Sequence, residues 1–316
     1  MEVSRVIGKY VGQEPGPLLV CLGGIHGNEP SGVKALDLLF KMLEVEPITN
    51  PDFVYFGSVI GVAGNIPALK KGTRFIDKDL NRIWTKEIRR RVRNSEKESL
   101  SISEEIQMKE IMSAIESFVD EINPPMIYFL DLHSTTAHGG IFTIVGDDKR
   151  AQQMAKELHA PVVLGMDKDL IGTTQFYFED PDWPIPTMGI IFEAGQHMDP
   201  LSVNRAIAAI INCMRTIGSI EPGVVENRHD ELLTTFSKNL PKLTRLKYCH
   251  HITEDDDFHM LPGYHNFQPV EEGELLAHDI KGPIYAPTSG LILMPLYQSQ
   301  GDDGFFIIAA SEEQLS

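Results

Sequence analysis

The chain is poor in cysteine: Cys21, Cys213 and Cys249 are the only three in 316 residues. An odd, widely spaced set argues against a disulfide framework and fits a reducing cytoplasm. It is also too sparse for a structural zinc site built from cysteines. No apolar run approaches the roughly 20 residues that a membrane-spanning helix needs. The N-terminus, Met1-Glu2-Val3-Ser4-Arg5, lacks the basic start and apolar core of a secretory signal. Positive charge is scarce too, with 28 Lys and Arg against 45 Asp and Glu, a net charge of −17. That balance disfavours nucleic acid and anionic membranes as partners, because both need a basic surface. A small anionic ligand stays open, since a few arginines can dominate the field inside a cleft. No internal repeat or low-complexity tract is present.

What remains is the composition of a soluble globular protein, 42% hydrophobic and 23% charged, long enough for about two domains. Short apolar runs predict strands over 18–22, 53–61, 126–132, 140–145, 161–164 and 188–192. Helical patterns lie between them at 30–43, 104–118, 149–158 and 202–217. This alternation predicts an α/β domain with a mixed sheet over residues 1–219. Near Gly218-Ser219-Ile220-Glu221-Pro222-Gly223 the pattern changes. Turn residues become frequent and short runs at 243–250, 274–277 and 291–296 read as strands, so residues 220–316 are expected to form a smaller β-rich domain. The charged stretch 84–103, with Arg89-Arg90-Arg91-Val92-Arg93, reads as a solvated face rather than a nucleic-acid patch.

The most informative motif is Gly23-Gly24-Ile25-His26-Gly27-Asn28-Glu29, directly after the first long apolar run. A tight glycine turn there delivers an imidazole and a carboxylate, both zinc ligands, to a strand end. His133, in Asp131-Leu132-His133, supplies a third candidate at another strand end. Two His and one Glu leave a fourth coordination position for water, the mark of a catalytic rather than structural zinc. Glu193, after the run Gly189–Phe192 and before Ala194-Gly195, is the candidate general base. Partial burial there raises a carboxyl toward the useful range. Arg74, Asn81 and Arg82 fall within nine residues, with Asp79 between them. An Arg fork grips carboxylates and can stabilise an oxyanion, Asp79 could hold such an Arg in place, and the bland alternative is a surface ion-pair cluster.

Together these motifs, Gly24–Glu29, Arg74 with Asp79-Leu80-Asn81-Arg82, Asp131-Leu132-His133 and Glu193-Ala194-Gly195, resemble the succinylglutamate desuccinylase/aspartoacylase family of zinc carboxypeptidase-like hydrolases. The resemblance implies an α/β catalytic domain with one Zn2+ per chain held by His26, Glu29 and His133, supported by Asp79 and Asp131. It implies Glu193 as base and then proton donor, Arg74 polarising an amide carbonyl, and Asn81 and Arg82 binding a substrate carboxylate. The expected reaction is hydrolysis of an N-acyl amino acid, and the expected partner is that small molecule. A homo-oligomer is compatible with the family's habit of self-association. A late Tyr of aspartoacylases corresponds to Tyr297, which either reaches the substrate carboxylate or packs at the domain interface.

The segments 270–277 and 284–291 resemble a biotinyl/lipoyl-type β fold. No Met-Lys carrier signature stands between them, so the domain is expected to cover the active-site mouth instead. One departure bears on specificity. Aspartoacylases carry an Arg about ten residues before the base, whereas 172–192 here contains no Arg or Lys and reads Tyr177-Phe178-Glu179-Asp180-Pro181-Asp182-Trp183. That stretch is expected to form an acidic, aromatic rim, which favours a neutral or cationic substrate side chain as much as an acidic one. His138 and His197 flank the motif strands as supporting groups. His250, His251 and His259 lie near a solvated acidic loop at 254–257, with a second metal there as the lesser alternative. The competing functions are a metallocarboxypeptidase acting on peptides and a non-catalytic zinc-binding scaffold.

Overall fold

The computed structural model describes residues 3–178, 180, 183–225 and 228–311. Met1 and Glu2 of the N-terminal reading, and Glu179, Pro181 and Asp182 of the expected rim, lie outside the described residues. The first part of the chain runs β1 (Val6–Val11), β2 (Glu14–Gly23), α1 (Ser31–Thr49), β3 (Phe56–Ala63), α2 (Ile66–Lys71), α3 (Lys86–Asn94) and α4 (Ser103–Ile122). It continues through β4 (Ile127–Thr135), β5 (Phe142–Val145), α5 (Lys149–Lys156), β6 (Val162–Leu164), α6 (Gln175–Phe178), β7 (Thr187–Gln196), α7 (Leu201–Thr216) and α8 (Arg228–Ser237). Seven strands follow: β8 (Leu243–His251), β9 (His259–Met260), β10 (Gln268–Val270), β11 (Leu275–Asp279), β12 (Gly282–Tyr285), β13 (Gly290–Leu293) and β14 (Asp303–Ala310).

The fold is mixed α/β. An 11-stranded sheet has the order β1-β3-β2-β4-β7-β5-β6-β8-β14-β13-β10, and a separate antiparallel sheet has the order β12-β11-β9. The centre, β3-β2-β4-β7, is parallel. Both faces of this centre are covered, which is why its strands read as unbroken apolar runs rather than alternating ones. Successive residues still go to opposite sides. Leu19 and Cys21 pack with Leu36, Phe40, Ile207 and Ile210 of α1 and α7. Leu18, Val20 and Leu22 pack with Met108, Ile111 and Ile115 of α4. The amphipathic periods of the helices supply the matching faces. Among the described residues no helix is long and apolar enough to cross a membrane.

The expected boundary at 219/220 falls in the turn between α7 and α8, and the large sheet runs on past it. β8 pairs parallel with β6, and β14, β13 and β10 extend the same sheet antiparallel. Strands β4 and β7 run three or four residues beyond their predicted ends. They carry His133 and Glu193 inside the ladder as direct neighbours, because the polar residues at the strand ends keep pairing even where the apolar pattern stops.

The parallel centre brings the carboxyl ends of β2, β4, β7 and β3 to one edge, the usual ligand side of such sheets. The turn after β2 depends on glycine at two points. Gly24 has φ +73°, a left-handed conformation costly for other residues. A Cβ on Gly27 would stand 2.1 Å from the carbonyl carbon of Ala68, in backbone that cannot step aside. Gly27→Ala should therefore push the His26–Glu29 turn off α2. We expect a loss of about 1–3 kcal/mol together with reduced metal content in elemental analysis. Wild-type thermal stability and metal content in this variant would contradict the close packing.

Candidate metal centre and substrate cavity

The turn after β2 bends back on itself, with Glu29 N–H donating to the His26 carbonyl at 3.2 Å. This sets the two side chains together. His26 Nδ1 lies 2.8 Å from Glu29 Oε1, and His133 Nδ1, arriving on β4, lies 3.2 Å from Glu29 Oε2. The three side chains are buried, and their donor atoms lie within 4.8 Å of one another. The opposite nitrogens complete the pattern. His26 Nε2 faces Asp79 Oδ1 and His133 Nε2 faces Asp131 Oδ2, each at 3.2 Å. A carboxylate stands behind each imidazole, hydrogen-bonded to His26 and in ion-pair contact with His133, and Nδ1 faces inward on both, the arrangement that metal-binding histidines use. Two imidazole nitrogens and a carboxylate suit zinc and leave coordination positions free. The residues present therefore fit the expected ion.

The electrostatics agree. Burial alone would raise the Glu29 carboxyl, but His26 and His133 hold it well below the usual carboxylate range. Burial would lower His133, and Asp131 and Glu29 outweigh it, raising the imidazole well above its ordinary value. Glu193 behaves oppositely. It is buried, its Oε2 has no hydrogen-bond partner, and burial pushes its carboxyl up to about 8, with Glu29 and Asp131 adding to the shift against His133 and Arg74.

Between β3 and α4 the chain wraps around one carboxylate, Glu104. It is fully buried and accepts the backbone N–H groups of Ile76, Asp77 and Lys78 at 2.8, 3.1 and 3.1 Å, and Asn65 Nδ2 at 2.9 Å. The loop so held presents Asp79, Arg74, Asn81 and Arg82. Asp79 Oδ2 accepts Arg74 Nε at 2.9 Å and Asp79 Oδ1 accepts Asn81 N–H at 2.7 Å, so this carboxylate joins the arginine loop to His26. Burial would raise the Asp79 carboxyl, yet Arg74 and His26 hold it well below its usual value. Asn81 accepts Thr174 N–H at 2.9 Å.

These groups line a cavity of about 710 Å³ open to solvent, with His26, Glu29, His133, Glu193, Arg74, Asn81 and Arg82 in its walls. The far wall is the segment between β13 and β14, contributing Met294, Leu296, Gln298 and Asp302, with Asp303 at the start of β14. Side chains tie it down: Asn28 Nδ2 donates to Gln298 Oε1 at 2.6 Å and Arg74 N–H to Gln300 Oε1 at 3.0 Å.

Sequence reasoning brought the metal-ligand candidates, Glu193 and the arginine loop to one place. Other features differ from the expectations. Tyr297 is not in the cavity wall. Its hydroxyl donates to the Leu261 and Tyr264 carbonyls at 2.9 and 3.1 Å, so it packs within the C-terminal part. Arg82 is not a free fork, because Asp303 Oδ2 already sits 2.6 Å from its guanidinium. The described residues of the expected acidic, aromatic rim do not line the cavity. The short turn of α6 points Tyr177 and Phe178 inward against Trp84, Phe129 and Trp183. Asp180 pairs with buried Arg89 at 2.8 Å. The rest of the basic stretch lies on α3 facing α4, where Arg91 forks onto Glu105 and Arg93 reaches Glu116. His197 lines the cavity with Nε2 unpartnered, held by Ser134 Oγ on Nδ1 at 2.8 Å. Glu104, Asp302 and Asp303 gave no local signal, since their partners are distant in sequence.

Asp79→Ala removes the support of His26 and the anchor of Arg74 together. We expect metal affinity to fall by about 10–100-fold, measured by competition with a chromophoric chelator. Unchanged affinity would contradict the role given to this carboxylate.

The sequence profile of the succinylglutamate desuccinylase/aspartoacylase catalytic domain matches residues 15–217. The probable aspartoacylase of Nostoc sp. is 33% identical over 126 residues, 40% of this chain and 38% of that protein. The aspartoacylase of Xenopus tropicalis is 32% identical over 142 residues, 40% of this chain and 37% of that protein. The matches thus span less than two-fifths of the length of these curated relatives. In three dimensions the chain resembles a succinylglutamate desuccinylase/aspartoacylase from Rhodobacter sphaeroides, with TM-score 0.63, 16% identity and coverage of 95% of this chain and 87% of that one. It also resembles the succinylglutamate desuccinylase of Vibrio parahaemolyticus, with TM-score 0.60, 17% identity and coverage of 94% and 82%. The profile match over most of the chain, joined to the same architecture, places this protein in the succinylglutamate desuccinylase/aspartoacylase family.

Proposed function

We propose that the protein is a zinc-dependent amidohydrolase that cleaves an N-acyl amino acid into a carboxylate and a free amine. The observation that carries this reading is the position of Glu193. It is a buried carboxyl with one oxygen unpartnered, beside the His26, Glu29 and His133 donors and in the same cavity as Arg74. Holding a metal needs neither Glu193 nor Arg74, so their presence favours turnover over a non-catalytic scaffold. Zn2+ bound by His26, Glu29 and His133 would supply Lewis acidity, easing ionisation of a water and polarising the scissile carbonyl.

The chain's own residues account for the remaining work. Glu193 takes a proton from the attacking water and returns it to the leaving amine, a task suited to a carboxyl whose pKa is raised toward neutrality. Arg74, fixed by Asp79, donates to the carbonyl oxygen as negative charge develops there. Asn81 and Arg82 receive the amino-acid carboxylate. Asp303 orients Arg82, and Asp302 beside it adds negative charge to the same wall. Among the described residues that line the cavity, Arg74 and Arg82 are the only Arg or Lys side chains. Arg74 is committed to Asp79. We therefore assign the substrate a neutral or cationic side chain rather than a second carboxylate.

The segment held through Gln298 and Gln300 walls the cavity on one side, and a walled cavity favours a small acyl amino acid over a long peptide as in a carboxypeptidase. The test is amine release from N-acetyl and N-succinyl amino acids with acidic, neutral and basic side chains, alongside peptides. We expect turnover of acyl amino acids only. Glu193→Gln should lower kcat by about 10²–10⁴-fold while keeping its metal. Peptide-only turnover, or an active Glu193→Gln, would refute the assignment.

A further inference from the structure

A second group of metal-binding side chains lies at the edge of the cavity, built by strand pairing rather than by a sequence motif. Cys249 and His251 are two residues apart on β8 and so project from the same face. Asp303, at the start of β14, is the direct cross-strand partner of His251. Three donor atoms meet there. Cys249 Sγ is 3.5 Å from His251 Nδ1 and 3.5 Å from Asp303 Oδ1, and His251 Nδ1 is 2.8 Å from Asp303 Oδ1. Tetrahedral zinc with a sulfur ligand at 2.3 Å and nitrogen or oxygen ligands near 2.0 Å requires sulfur-to-nitrogen and sulfur-to-oxygen edges of about 3.5 Å and a nitrogen-to-oxygen edge of about 3.3 Å. The two sulfur edges already match, and the third opens by about half an ångström when an ion replaces the hydrogen bond. The Asp303 carboxylate is divided between two tasks. Oδ2 holds Arg82 at 2.6 Å, and Oδ1 is turned to the Cys249–His251 pair.

We propose that Cys249, His251 and Asp303 form a second cation site, for zinc or a similarly thiophilic divalent ion, distinct from the His26–Glu29–His133 centre and one carboxylate away from Arg82. Thiolate and imidazole select such an ion over magnesium or calcium. Thiolate and carboxylate together balance its two charges. Access is open, since the His251 side chain is 56% exposed whereas that of Asp303 is 9% exposed. On binding, the Cys249 S–H bond breaks, a metal–sulfur bond forms and one proton leaves to solvent. Solvent fills the remaining position.

Cobalt(II) separates the two sites, because only this one contains sulfur. The full-length protein should take up two equivalents of Co2+ per chain. One of them should give a near-ultraviolet thiolate-to-cobalt charge-transfer band. That band should survive in His26→Ala, which loses the other ion, and vanish in Cys249→Ala together with one equivalent of metal. Cys21 and Cys213 are fully buried in the core and cannot substitute. If Cys249→Ala folds poorly, the exposed His251→Ala variant serves, with cobalt binding at this site weakened at least tenfold. A wild type that binds cobalt without the charge-transfer band, a band that persists without Cys249, or unchanged cobalt affinity in His251→Ala would overturn the proposal.

Discussion

The site depends on one buried carboxylate, Asp79. It faces His26 Nε2, accepts from Arg74, and accepts the backbone N–H of Asn81. Each contact fixes a different function: the tautomer of a metal-ligand candidate, the direction of an arginine, and the course of the loop toward Arg82. A buried charge is tolerated only when it is fully paired, and here the pairing is spread over the parts that must act together. Asp79 therefore ties two side chains and the backbone before Arg82 into one unit, and rigidity is what positions groups well enough for catalysis.

Support for that unit comes from farther away. Glu104, on the first turn of α4, gathers three successive backbone N–H groups of the arginine loop. A loop outside the main sheet thereby has three successive N–H groups satisfied by one side chain. On the opposite side, the segment between β13 and β14 reaches back through Gln298 and Gln300, and the start of β14 through Asp303. The cavity is thus closed between a parallel sheet edge and a later part of the chain. This arrangement is consistent with the family's catalytic domain, matched over 15–217, needing the residues after it to complete a wall.

Much of this was legible in the sequence because the decisive motifs are local. The glycine turn places His26 and Glu29 three residues apart, and apolar runs end just before His133 and Glu193. Strands predicted from those runs are the parallel centre of the sheet. Less was legible where contacts join distant residues. Tyr297 follows a motif position, yet its hydroxyl is captured by nearby carbonyls at Leu261 and Tyr264. The aromatic stretch at 177–183 looked exposed among its acids, but burial of Tyr177 and Phe178 beside Trp84 outweighs that local polarity. Glu104 opens the expected helix at 104–118 with nothing local to mark its distant partners, and the pairing of Cys249 with His251 and Asp303 needed the strand register to appear.

The central claim is that His26, Glu29 and His133 hold a divalent ion through inward-facing Nδ1 atoms. A crystal of the zinc-loaded protein measured on both sides of the zinc absorption edge tests it directly. We expect an anomalous peak between the two Nδ1 atoms and the Glu29 carboxylate, with Asp79 and Asp131 still behind the imidazoles. A peak ligated through Nε2 of either histidine, or no peak at this cluster in zinc-replete protein, would contradict it.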